Sequence, residues 1–158
     1  MAINTTFSDT WAPRLLSVLR ITTAYTFLQH GSAKLLGFPK VEAFANLQLA
    51  SLYGFAGLLE LVGGILLLVG LFSRPVAFIL SGQMAVAYFM AHSTPFFSPM
   101  LSRGEAAYLF CFVFLYIAAA GAGPWSLDAL RARAGHRRGE LSSGDRSAAE
   151  RNGARVTS

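Results

Sequence analysis

Residues 52–72 read LYGFAGLLELVGGILLLVGLF, twenty apolar or small residues interrupted by one charge, Glu60. At 1.5 Å per residue a helix of this length reaches roughly 30 Å, the thickness of a bilayer's hydrocarbon core. A carboxylate in the middle of such a span costs about 3 kcal/mol and persists when it is paired or functional. Gly57 and Gly64 lie three and four residues from Glu60, on its own helical face. Another element must pack closely against that face, and the carboxylate must point toward it.

The rest of the chain agrees with a membrane reading. Hydrophobic residues make up 54% of it and charged residues 13%, about half the charged share of soluble domains. Three further apolar segments, Leu15–Leu36, Pro75–Ala91 and Ala106–Ala122, accompany Leu52–Phe72. The expected architecture is all-α, an integral membrane four-helix bundle with antiparallel up-down topology. Its helices should run over about 15–36, 52–72, 75–91 and 105–122, inside a transmembrane domain of residues 14–130. A short N-terminal segment, residues 1–13, precedes them. Arg20 and His30 interrupt the first span and a basic leader region is nearly absent, so it reads as a retained helix and not a signal peptide. Pro13 is expected in its first turn.

Charge sets the orientation. Arg14, Arg74 and the seven arginines after Trp125 fall on one side of a four-span chain, against mainly Lys34, Lys40 and Arg103 on the other. Basic residues favour the cytoplasm, which places both termini there. Residues 131–158, rich in Arg, Gly, Ser and Glu, read as a basic disordered tail beside anionic lipid and not as a nucleic-acid surface. Two longer outer connections, 37–51 and 92–104, suit an interfacial helix near Val41–Ala45 and an irregular loop. Ser102 to Glu105 matches a capping box opening the fourth helix.

Depth and helical phase bring the ionisable residues together. Arg20, Thr23, Phe27, His30 and Lys34 form one stripe along the first helix, which lipid cannot satisfy. His30 lies about 9 Å from the outer end of its helix and Glu60 about 12 Å from the outer end of the next, so antiparallel neighbours bring them level. Lys34 is one turn above. Tyr88 and His92 on the third helix, with Glu105 and Tyr108 on the fourth, should complete one outward-opening polar pocket. Arg20 lies deeper on the cytoplasmic side, where Asp128 is its expected partner in a structural ion pair.

Such a pocket suits a quinone or a similar small hydrophobic molecule. His30 and Glu60 are the candidate catalytic pair, one donating to an oxygen and the other taking a proton. Lys34, His92, Glu105, Tyr88 and Tyr108 are the candidate substrate-binding residues. His30 with His92 would make a poor b-type haem ligand set, and no metal site is expected. Cys111, the lone cysteine, cannot sustain an intramolecular dithiol cycle. Two other readings use the same residues: a non-enzymatic membrane scaffold or partner-binding protein whose charges fix the helices, and a small-solute permease. A homo-oligomer is compatible with all of them.

At these residues the chain resembles the DoxX family. The resemblance rests on LRITTAYTFLQHGSAKLLGFP, LLELVGGILLLVGLFSRP and GAGPWSLD, spanning roughly residues 14 to 131. Arg20, His30, Gly31, Lys34, Glu60, Gly64, Arg74, Glu105, Gly121, Gly123, Ser126 and Asp128 occupy the family's pattern positions, while Pro124 stands where a polar residue is frequent. The resemblance implies a four-helix protein of the bacterial inner membrane that serves as an oxidoreductase component. It also implies a soluble redox partner protein, since some relatives are associated with thiosulfate–quinone oxidation or detoxification complexes.

Overall fold

The computed structural model describes residues 5–44, 48, 50–91 and 98–137, and these are helical with no strand among them. Helix α1 is Thr5–Leu35, α2 is Leu52–Val69, α3 is Ser73–Ala91 and α4 is Glu105–Ala120; a short 3-10 turn covers Glu42–Phe44. A further helical stretch runs over 127–137.

Local chemistry places the ends. Ser51 caps α2 by accepting the Gly54 N–H at 3.2 Å. Gly70, at φ 72°, closes α2 in the left-handed conformation open to glycine, with its N–H on Leu67 O and that of Leu71 on Leu66 O. Asp128 accepts the N–H groups of Phe72 and Ser73, both at 2.9 Å, and so caps α3. Because the cap lies there, α3 starts two residues before the expected Pro75, which sits in the first turn where its missing N–H is harmless.

Four other expectations are corrected. Helix α1 starts ten residues before Leu15 and carries Pro13 in its interior; Ser17 Oγ donates to Pro13 O at 3.3 Å on the helix's own backbone. The cap of α4 is Gly104 with no side-chain bond, and Ser102 Oγ donates instead to Pro99 O. Arg103, at φ 56°, turns the chain there and carries Ser102 out of capping position. The segment 131–137 is helical, continuing from the cap that Ser126 gives Ala129 N–H at 3.1 Å; residues 138–158 of the expected tail lie outside the described residues.

On the α1–α2 seam, Gly31 lies on the backbone of Glu60 and Leu61, Gly57 on Lys34 and Leu35, and Gly64 on Leu28. Small residues let the two backbones approach, the usual means of association where lipid removes a hydrophobic drive. On α3–α4, Ser81 Oγ donates to Cys111 O at 2.8 Å, and Arg74 to Ala119 O at 2.9 Å. The two pairs join through Phe27, edge-on to Phe110 and Phe114, and through Leu80 against Gly63. Ala24, Leu67, Ala77, Met84 and Ile117 fill the same core.

Polar side chains share the interior with this apolar core, and the exterior carries large apolar ones. Ser17, Arg20, Thr23, Glu60, Ser73, Ser81 and Ser126 are buried, while Leu15, Phe55, Leu58, Val62, Phe78, Val86, Leu109 and Leu115 are exposed. Water would penalise such an exterior and lipid would not. Among the described residues one helix, Leu52–Val69, is long and apolar enough by itself to cross a membrane; Glu105–Ala120 is a shorter apolar helix.

Candidate functional site

Glu60 is 2% exposed, held inward because its face of α2 also carries Gly57 and Gly64 against α1. The close crossing delivers Lys34, in the last turn of α1, to the carboxylate: Nζ stands 2.5 Å from Oε1, the one salt bridge among the described residues. Gln83 on α3 reaches the same oxygen, its Nε2 at 3.2 Å from Glu60 Oε1 and 3.2 Å from Ala56 O. Three helices therefore meet at one carboxylate oxygen. The other oxygen, Oε2, is buried and accepts nothing, and so is Gln83 Oε1.

Beside this cluster lies a cleft of about 430 Å³ between α2 and α3. Lys34, Glu60 and Gln83 form its polar end; Tyr53, Leu59, Ile79, Val86 and Met90 are among its apolar walls. Tyr53, Ile79, Val86 and Met90 are also exposed on the outside of the helices, so the cleft opens sideways. Its cause is the pairing of the helices. Helices α1 with α2, and α3 with α4, pack along most of their lengths, while α2 meets α3 far less extensively. The volume falls in the range of small-molecule sites, as does an apolar wall with a few convergent polar groups.

The sequence-predicted residues separate into those at the cluster and those elsewhere. Glu60 and Lys34 are in contact. His30 is exposed and turned toward α4, its ring edge-on to Phe110 at 6.1 Å; the groups that bond the carboxylate are Lys34 and Gln83. Tyr88, Tyr108 and Glu105 stand apart from this cleft. Tyr88 is buried in the α3–α4 seam, 5.8 Å ring to ring from Tyr108, and Glu105 is exposed at the start of α4. None of the three lines the cleft. Helix α3 turns Ser81, Met84 and Tyr88 toward α4 and the bundle interior, leaving Gln83, Val86 and Met90 for α2. His92 lies outside the described residues.

Arg20 and Asp128 do not form the expected pair. The guanidinium, fully buried, donates to four carbonyls: Ala122 O at 2.8 Å, Leu68 O at 2.8 Å, Trp125 O at 2.6 Å, and Leu67 O. These carbonyls lie at the end of α2 and in the segment after α4, and the planar five-donor fork suits them. Asp128 is committed to the start of α3. Burial pushes its carboxyl up, but the backbone N–H groups of Ser73 and Phe72, the Ser73 hydroxyl and the charge of Arg131 together hold it below the ordinary range.

Gln83 is the residue that sequence reasoning missed. It is the one amide in the third apolar segment, and that was the available signal.

An apolar exterior around buried polar groups defines a helical protein of membrane type. The comparisons narrow this: the DoxX family model matches residues 15–93, half of the chain, and the chain belongs to the membrane-associated DoxX family. A protein of Haemophilus influenzae described as an uncharacterized protein is 43% identical over 124 residues, covering 76% of this chain and 92% of the relative. No solved structure matches.

Proposed function

We propose that this protein is the multi-pass inner-membrane subunit of a redox system, and that the α2–α3 cleft binds a quinone or a similar small hydrophobic molecule. Helices α1 to α4 would stand as an antiparallel four-helix bundle with both termini cytoplasmic. The basic residues Arg14, Arg74, Arg131 and Arg133 would then lie on the cytoplasmic side. The ring would sit at Lys34, Glu60 and Gln83, and the tail would run along Tyr53, Val86 and Met90 toward lipid. Electrons would pass between the bound molecule and a soluble partner protein. This chain's residues would orient the ring, exclude water and accept a proton at Glu60.

One observation carries the reading: a buried carboxylate keeps an acceptor oxygen unpaired at the end of an apolar cleft of about 430 Å³. A purely structural ion pair is better served by using both oxygens, since an unmet buried acceptor costs about 1–3 kcal/mol. Candidate catalytic roles fall to Glu60 with Lys34 as its counter-ion.

The scaffold reading has its own support, because Glu60 ties α1, α2 and α3 together. Equilibrium binding of a decyl-tailed benzoquinone to the purified protein in detergent separates the two. Saturable binding, weakened about tenfold or more by Glu60→Gln or Lys34→Met, is the expected result. No binding, with variants that lose only stability, would favour the scaffold.

A further inference from the structure

Glu60 Oε2 and Gln83 Oε1 are buried oxygens without a donor, and both residues line the cleft. Gln83 has one workable orientation. Its Nε2 stands 3.2 Å from two acceptors, Ala56 O and Glu60 Oε1; a flipped amide would set oxygen against oxygen. Oε1 is therefore an acceptor in place. Glu60 Oε1 is taken by the Lys34 ammonium and by Gln83, and the paired carboxylate leaves Oε2 as a second acceptor. The donor at this end is Lys34, which has three N–H groups.

A quinone carbonyl can only accept a hydrogen bond. It is served by the ammonium and leaves both oxygens unmet. A hydroquinone hydroxyl accepts from the same ammonium while donating its own proton to Glu60 Oε2 or Gln83 Oε1. The ammonium serves both forms and does not discriminate between them; the two oxygens do. Sites with buried polar groups reject ligands that leave those groups unpaired far more strongly than apolar pockets reject a misfit.

Resting on the proposed quinone-type reading of this cleft, we infer that it is built for the reduced, hydroxyl-bearing member of the couple. The bound molecule is held as a hydroquinone or phenol, the form that gives up protons. Preferential binding of the reduced form raises the potential of the bound couple, by about 30 mV for each tenfold difference in affinity of a two-electron couple. The cleft would accordingly draw reducing equivalents from the membrane pool into the bound form.

The test is anaerobic equilibrium binding of a decyl-tailed benzoquinone and of its hydroquinone to the full-length protein in detergent micelles. The hydroquinone should bind at least tenfold more tightly. Gln83→Met should shrink that ratio, because it removes an acceptor that only the hydroxyl uses. Glu60→Gln should shrink it further; should that variant unfold, Gln83→Met carries the comparison. Equal affinities, or tighter binding of the quinone, would overturn the inference and leave the quinone-type site standing. Failure of both forms to bind would overturn the two together.

Discussion

Replacing Gly31 with alanine places a methyl group against backbone, not against a side chain that can move aside. The added Cβ would lie 2.5 Å from Leu61 N and 2.9 Å from Glu60 C and Leu61 Cα, where ordinary contact begins near 3.4 Å. Helices α1 and α2 would have to part by about 1 Å at this crossing. Over-packing of this kind costs roughly 1–3 kcal/mol. With only backbone to yield, the cost lies at the upper end, about 3 kcal/mol; alanine returns up to about 1 kcal/mol through helix propensity, which leaves a net loss of about 2 kcal/mol. Parting the helices also lengthens the 2.5 Å contact of Lys34 with Glu60, so Gly31→Ala and Glu60→Gln should be non-additive. Detergent-micelle unfolding with added dodecyl sulfate, followed by far-UV circular dichroism, reads both effects. Gly82→Ala is the control, because nothing lies within 4 Å of the added Cβ; it should be neutral or slightly stabilising. A Gly31→Ala protein as stable as the wild type would refute the close crossing and, with it, the delivery of Lys34 to the carboxylate.

Arg20→Met should cost at least about 3 kcal/mol in the same unfolding assay, since it strands several buried carbonyls. Arg20→Lys should recover little of that loss, because a point charge cannot reproduce the planar fork; full recovery would contradict the four-carbonyl arrangement. Asp128 supplies a pH dependence. Its folded carboxyl lies below the ordinary value of 3.8, so its contribution is fully present above that range and is lost as the pH falls below it. Thermal midpoints measured from pH 7 to pH 3 should therefore drop more for the wild type than for Asp128→Asn; parallel curves would rule out the cap.

The sequence pattern made some of this legible and hid the rest for physical reasons. An apolar span with one acid and two flanking glycines foretells a close helix contact at Glu60; depth put His30 level with it and Lys34 one turn above, and the contact is made by Lys34. Rotation about the helix axis is another matter. The third segment has two polar faces, Ser81 with Tyr88 and Gln83 alone, and nothing in one sequence says which one meets α2. Charge alone suggested Asp128 for Arg20. The actual acceptors are backbone carbonyls at helix ends, and side-chain patterns carry no trace of them. Likewise Pro13 marks a helix start by rule, yet α1 continues through it to Thr5.

The central claim is that a small ring-bearing molecule occupies the α2–α3 cleft with its head at Glu60. Photolabelling with an azido-substituted benzoquinone, followed by peptide mapping, addresses it most directly. Modification should concentrate in residues 52–59 and 79–91 and should be suppressed by excess unlabelled quinone and by Glu60→Gln. Labelling confined to α1 and α4 around His30, or spread evenly over the lipid-facing surface without competition, would contradict the account.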